Sequence, residues 1–409
     1  MDRVTEWLFR LENRLSEASA RIPCRRPWVA AEREEILRVA KACLGIRDEW
    51  IPAVRAEVAG EDRQGRVAVQ RLRAVSWDGC AGAAHLFLPL EESRSKLPLA
   101  ILCCGHGKGG KQALGYQQMA WRLAHLGCAV LVPDNIGQGE RVAMGHADAV
   151  VPFQCGLSVQ GLIVMETIGW LNWVLADSRF DAGRIAAIGN SGGGTLTLFF
   201  GALCREQLAA LSSSGYPSTF GFVAAKEKKH CHCNLLPGVV GSLDMWQLYG
   251  SFAPKPLFLF QGKLDCLFPE DLFHSAARKV GEVYRRLGAA PACRTSVFPG
   301  EHSWDDGRRE ALAGFLAGAL GLDAARAPAG PLAEPFGNCY DVWPADAHTA
   351  DSLAVQLSGV RTEPCRELYQ VYAPYLADWP DPPLGRVGFR QLAAQWEAFL
   401  APSLRLGGG

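Results

Sequence analysis

The stretch Gly189-Asn190-Ser191-Gly192-Gly193-Gly194 lies between a strand-like run, Arg184–Gly189, and a helical pattern, Gly193–Leu203. A serine flanked by glycines at a strand–turn–helix junction has the layout of a nucleophile elbow. The turn is sharp and strained, so its neighbours must be small. The helix start aims free N–H groups and the positive end of its dipole at the hydroxyl. Negative charge developing on an oxygen there would be stabilised. A glycine-rich turn can also be a plain tight connection or a phosphate cradle, but the Lys of G-x-x-x-x-G-K-[ST] and the pattern G-x-G-x-x-G are both missing at this turn.

A serine hydroxyl needs a base and an acid to orient that base, here in the chain order Ser, Asp/Glu, His. The histidines after Ser191 are His230, His232, His274, His302 and His348. His302, in Pro299-Gly300-Glu301-His302-Ser303-Trp304, sits in the loop after the strand-like run Thr295–Phe298 and is the expected general base. His274 lies inside a helical pattern and His348 in an irregular tail. Asp265 directly follows the strand-like run Leu257–Gln261 and is the expected acid; Asp244, Asp305 and Asp306 follow no strand end. The oxyanion should be held by the N–H of Gly192 and by one N–H of the loop Cys104-Gly105-His106-Gly107-Lys108-Gly109-Gly110, with Lys108 favoured over Gly107. His106 precedes the serine and is read as a brace for that loop. Together these groups would transfer an acyl group through an acyl-enzyme.

These residues need a scaffold that brings distant loops to one rim. Strand-like runs at Leu99–Cys104, Ala129–Pro133, Arg184–Gly189, Leu208–Ser213, Leu257–Gln261 and Thr295–Phe298 alternate with helical patterns at Tyr116–Leu126, Leu162–Ala176, Gly193–Leu203, Glu270–Leu287 and Arg308–Ala319. That alternation predicts a mostly parallel sheet covered by helices on both faces, with functional residues at the carboxyl ends of the strands. Residues 1–60 read as a helical extension, with helical spacing in Glu34–Leu44 and Asp48–Val58. Residues 61–322 read as the catalytic domain, with an insertion at about 214–252, and 323–409 as an extension rich in Pro and aromatics.

The 409 residues carry 42 basic and 42 acidic side chains, and 49% are hydrophobic. Bulk disorder is excluded by the apolar content, and nucleic acid as main partner by the charge balance. No run of about 18 apolar residues occurs, so no membrane span is expected. The basic-then-apolar layout of a secretory signal is missing at the start, and the 14 cysteines lie largely in apolar stretches. Reduced thiols in the cytoplasm are the expectation.

The pieces GHGKGGK, VLVPDNIGQGER, FDAGRIAAIGNSGGGTLTL, CHCNLLPG, GKLDCLFP and GEHSW resemble the α/β-hydrolase superfamily, in particular its bacterial acetyl xylan esterase and dienelactone-hydrolase-like serine esterases. The resemblance spans about residues 35–322. It implies the α/β-hydrolase fold, a Ser191, Asp265, His302 triad, no cofactor and a small-molecule ester substrate with a small acyl group such as acetyl. Dienelactone hydrolases proper use a cysteine nucleophile, and this chain has serine. Peptide, amide or C–C bond hydrolysis on the same triad, and a non-catalytic binding protein of this fold, are the alternatives.

His230-Cys231-His232-Cys233 carries residue types that bind metals. One short segment cannot aim four contiguous side chains at one ion, and no second pair stands nearby in sequence, so no metal is expected there. The segment is read instead as part of the insertion over the active site, lining a pocket with Tyr216, Trp246 and Tyr249. Asp134 is expected to cap its loop and Glu166 to be structural. The N-terminal helices could cover the site or mediate a homo-oligomer contact.

Overall fold

Six parallel strands form the heart of the sheet because their sequences are short apolar runs that can be buried on both faces. The computed structural model describes residues 30–90, 96–107, 109–146, 149–225, 231–236, 238–239, 242–323, 332 and 335–360. Its strands are β1 (Arg55–Gln64), β2 (Val67–Val75), β3 (Ala81–Pro89), β4 (Leu97–Cys103), β5 (Ala129–Pro133), β6 (Phe180–Asn190), β7 (Ala210–Ser214), β8 (Leu257–Gly262) and β9 (Cys293–Phe298). They form one nine-stranded sheet in the order β1-β2-β3-β5-β4-β6-β7-β8-β9. Strands β5 to β9 with β4 are parallel, and β1, β2 and β3 add antiparallel ribbons beside β5.

The helices are α1 (Ala30–Leu44), α2 (Leu114–His125), α3 (Val151–Gln154), α4 (Val159–Ala176), α5 (Gly192–Leu203), α6 (Phe220–Ala225), α7 (Met245–Gly250), α8 (Glu270–Arg286), α9 (Asp306–Leu320) and α10 (Ala350–Ser358). Side chains alternate across the sheet and build two cores. Leu99, Ile101, Leu257 and Leu259 face one layer with Leu162 of α4, Leu198 of α5 and Val280 of α8. Ala100, Leu102, Phe258 and Phe260 face the other with Met119 of α2 and Leu312 and Leu316 of α9. This is the α/β-hydrolase layout expected from the sequence. Helix α4 is long and apolar enough to cross a membrane by length and composition, yet 72% of it is buried inside the protein. Its Glu166 takes both terminal guanidinium nitrogens of buried Arg141, at 2.6 and 2.9 Å, and a 2.7 Å bond from Ser76 Oγ. A polar side chain so deep in the apolar layer is tolerated because it is fully paired.

Two sequence expectations need correction. Asp48–Val58 is not a helix: a single 3-10 turn, Asp48–Trp50, leads into β1, which runs through residue 60. β1 is largely exposed, and its charged side chains blunt an open sheet edge. Asp134 does more than cap. Its Oδ1 accepts from the Lys111 N–H at 2.7 Å, and its Oδ2 accepts from Lys111 Nζ at 2.7 Å and from the Glu140 N–H at 3.1 Å. Glu140 also pairs with Lys111 Nζ, and its two oxygens accept the N–H groups of Cys339 and Tyr340, each at 2.8 Å. The described part of the C-terminal extension is thus stitched to the core. Phe336 packs edge-on against Phe87 with ring centroids 5.6 Å apart, and Gln117 clasps the Phe336 backbone at 2.6 and 3.2 Å.

Candidate active site

β6 ends at Asn190 and α5 begins at Gly192, so the whole reversal falls on Ser191. Ser191 has φ 58° and ψ −120°, and among the described residues it is the only non-glycine with positive φ. The flanking glycines are required by space. A Cβ on Gly193 would stand 2.0 Å from the Cys103 carbonyl oxygen, and one on Gly189 would stand 2.2 Å from that of Gly193. The Ser191 N–H donates to the Ser214 carbonyl at 2.9 Å, tying the elbow to the end of β7. Ser214 Oγ in turn donates to Asn190 Oδ1 at 2.8 Å and accepts from Trp304 Nε1 at 2.7 Å. That bond links the elbow to the residue two places after His302.

The expected base and acid meet. His302 Nδ1–H donates to Asp265 Oδ2 at 2.7 Å. Asp265 Oδ1 accepts the N–H groups of Leu267 at 2.9 Å and Phe268 at 3.0 Å. Burial works against the Asp265 charge, but the His302 hydrogen bond and charge and the two backbone N–H groups outweigh it, so its pKa lies below the ordinary carboxylate value. With Nδ1 committed, Nε2 is the nitrogen left to take a proton; it is buried and has no hydrogen-bond partner among the described residues. The ring lies at the elbow's rim: a Cβ on Gly215, next to Ser214, would be 2.8 Å from His302 Cε1 and 2.9 Å from Asn190 Oδ1. The Ser191 hydroxyl is not hydrogen-bonded to Nε2 in this structure. Bonds of this kind are often loose until substrate binds.

Sequence reasoning missed the residue that holds the His302 loop. Arg308 of α9 is buried, and it donates to the carbonyls of Glu301 at 2.6 Å and Pro299 at 2.8 Å, to Ser303 Oγ at 2.8 Å and to the Ser303 carbonyl. An arginine inside a helical pattern reads as a solvated face, and its spacing gives no sign of the loop it grips.

Gly192, the first residue of α5, presents an N–H of the kind a helix leaves without an intrahelical partner. Lys108 lies outside the described residues. Gly105, earlier in that loop, donates its N–H to the Tyr116 hydroxyl at 2.7 Å, and a Cβ there would be 3.2 Å from Ser191 Cβ. The loop therefore does lie against the nucleophile.

The three aromatics expected in the pocket fare differently. Tyr216 is buried beside α5 and packs edge-on to Phe268 at 5.4 Å, and Phe268 in turn lies 6.0 Å from the His302 ring. Tyr216 is thus one ring removed from the base. Tyr249 is wholly buried and its hydroxyl pairs with Ser213 Oγ at 2.7 Å, so it packs within the core. Trp246 is half-buried on α7, with the Lys279 ammonium of α8 5.8 Å from its ring centre, which makes it part of the α7–α8 packing.

The Cys231–Cys233 segment departs from its sequence reading. The missing second pair is supplied by the loops after β4 and β5. His106, His146, Cys231 and Cys233 place one donor atom each within 4.8 Å of all the others. His106 Nε2 lies 2.7 Å from Cys231 Sγ, 2.9 Å from Cys233 Sγ and 3.1 Å from His146 Nε2. Cys231 Sγ and Cys233 Sγ are 2.7 Å apart. Burial opposes ionisation of Cys231, but hydrogen bonds from Cys233, His106 and His146 override it and hold the thiol below its usual range. His232 turns away, its Nδ1–H bonding the Ala149 carbonyl at 2.9 Å. His230 lies outside the described residues.

No protein-family model and no curated protein sequence matches the chain. Solved structures do. The methylesterase BT1017 superposes with a TM-score of 0.63 at 19% identity, covering 96% of this chain and 81% of its own. A protein from Bacteroides fragilis NCTC 9343, provisionally named an acetyl xylan esterase, gives 0.57 at 16% identity, covering 71% of this chain and 81% of its own. A glucuronoyl esterase from Solibacter usitatus gives 0.54 at 13% identity, covering 71% of this chain and 92% of its own. At these identities the likeness establishes a shared fold, and function must be argued from the site.

Proposed function

We propose that this protein is a serine hydrolase of carboxylic esters. One observation carries the reading: the Asp265–His302 pair at 2.7 Å leaves a buried, unpartnered Nε2 at the rim where the strained Ser191 elbow stands. In the proposed reaction Ser191 Oγ attacks the ester carbonyl as His302 Nε2 takes its proton. Asp265 holds the ring in one tautomer and stabilises the imidazolium. The Gly192 N–H and a second N–H from the loop around Lys108 bind the oxyanion; losing one such donor typically costs about 3 kcal/mol of barrier. The proton then passes to the departing alcohol. Water, activated by the same base, releases the acid from the acyl-enzyme.

The names of the structural neighbours favour esters over amides or C–C bonds. A small acyl group such as acetyl is the proposed substrate feature, supported by the sequence resemblance to acetyl xylan esterases. A fluorophosphonate probe should label Ser191 in the folded protein, and p-nitrophenyl acetate should be turned over in preference to peptide anilides and to longer acyl chains. Failure to label would favour a non-catalytic protein of this fold. Labelling with preferential cleavage of anilides would make it an amidase.

A reducing compartment is supported by the thiols. The described cysteines are free, and burial pushes Cys43, Cys128 and Cys204 up to about 12, which keeps them inert.

A further inference from the structure

We propose that His106, His146, Cys231 and Cys233 form a closed, structural zinc-type site that clamps three loops beside the nucleophile. The donor set is the Cys₂His₂ combination that Zn²⁺ takes in four-coordinate structural sites. A tetrahedral site with the usual Zn–N and Zn–S bonds has donor separations of about 3.3–3.8 Å. Here the closest pairs stand 2.7 to 3.1 Å apart and none exceeds 4.8 Å, so small side-chain rotations open the cluster to that size.

The objection that contiguous residues cannot share an ion is met by the local backbone. Cys231 precedes a 3-10 turn, His232–Asn234, which brings Cys231 and Cys233 to one side and sends His232 to the other. The surroundings suit a metal. His146 Nδ1–H is tied to the Ile136 carbonyl at 2.8 Å, which fixes the tautomer and leaves the Nε2 lone pair facing the cluster. Asn234 Nδ2 lies 3.4 Å from Cys233 Sγ and can donate to a thiolate. On binding, the two thiols release their protons to solvent and become thiolates. Two thiolates, two neutral imidazoles and Zn²⁺ then sum to zero charge, the cheapest state for a cluster in which His146 and Cys233 are buried.

Four protein donors leave no open position for water, so the ion would serve structure and not hydrolysis. Its location says which structure. His106 belongs to the expected oxyanion loop, and a Cβ on Gly192 would stand 2.4 Å from the His106 ring. His146 comes from the loop after β5, and Cys231 and Cys233 from the insertion between β7 and β8. One ion would therefore lock the loop facing Ser191 to the segment that covers it.

The test is metal analysis of the full-length chain purified without chelator. Elemental analysis should find about one zinc per chain. Replacement by Co²⁺ should give the visible absorption of a tetrahedral thiolate site, a readout independent of turnover. Cys231→Ser with Cys233→Ser, and separately His146→Gln, should each lose the bound metal and weaken Zn²⁺ affinity by 100-fold or more. An unchanged far-ultraviolet circular dichroism spectrum in either variant would confirm that it is folded, and the lost clamp should lower its melting temperature. Three results would overturn the proposal: wild-type protein that takes up neither Zn²⁺ nor Co²⁺, metal retained in both variants, or a Cys231–Cys233 disulfide found in unreduced digests of freshly prepared protein.

Discussion

Ser191→Gly should make the protein more stable as it destroys activity. Ser191 occupies the backbone region of the first central residue in a type II′ turn, open to glycine and strained for any residue with a Cβ. Strain of this kind costs about 1–3 kcal/mol. Ser191→Ala keeps the strain and loses only the hydroxyl, so its stability should stay close to wild type. Ser191→Gly removes the strain but adds roughly 0.5–1 kcal/mol of chain entropy to be lost on folding. The net expectation is a gain of about 1 kcal/mol over Ser191→Ala, a rise of roughly 1 °C in melting temperature for a chain of this size. Both variants should lose about 10⁶ in kcat, the order seen when the nucleophile of a Ser-His-Asp constellation is removed. Urea denaturation gives the first quantity and p-nitrophenyl acetate turnover the second. A Ser191→Gly protein no more stable than Ser191→Ala would refute the claim that the elbow stores backbone strain.

Asp265→Asn should cut kcat about 10⁴-fold, because an amide cannot hold the same His302 tautomer or stabilise its charged form. The folded pKa of Asp265 is depressed, so its ionised form adds stability above the unfolded value of about 3.9, and that contribution is lost as pH falls through the folded pKa. Denaturation of wild type and Asp265→Asn between pH 3 and 7 should therefore converge at the acid end; a constant gap would contradict this. Lys111→Met should cost about 3–5 kcal/mol in chemical denaturation, since it strands the buried Asp134 carboxylate and removes the cation Glu140 pairs with. A loss below about 1 kcal/mol would mean that water reaches the pair.

The parallel strands and their helices were legible because an apolar run of five to seven residues between turn signals has few other uses. Observed bounds differ from the sequence reading by a few residues at the ends of β4, β6 and α4. The placement of Ser191, Asp265 and His302 just past the ends of β6, β8 and β9 was legible because each lies within a few residues of an apolar strand-like run. The edge ribbon was not. The segment Arg55–Gln64 is exposed and charged, so it lacks the alternation that marks a half-buried strand, while Ile51, Val54 and Val58 mimic helical spacing. The burial of Tyr249 was not legible, because an aromatic near an insertion looks the same in sequence whether it faces a pocket or the core. The His106, His146, Cys231, Cys233 cluster was out of reach for another reason. The cluster spans 127 residues of chain from His106 to Cys233, and only the adjacency of β4 and β5 brings the two histidines together.

The C-terminal stretch around residues 336–340 carries a lesson for anyone trimming this chain to a minimal hydrolase. Its backbone supplies the donors that satisfy Glu140, and its phenyl ring at 336 plugs the gap beside Phe87 and Trp121. A version ending near residue 322 would keep every group assigned to the reaction and still expose an apolar hole, with a half-satisfied acid at its rim. The described part of the extension buttresses the sheet from outside, and removing it would loosen the packing next to the loop that faces the nucleophile.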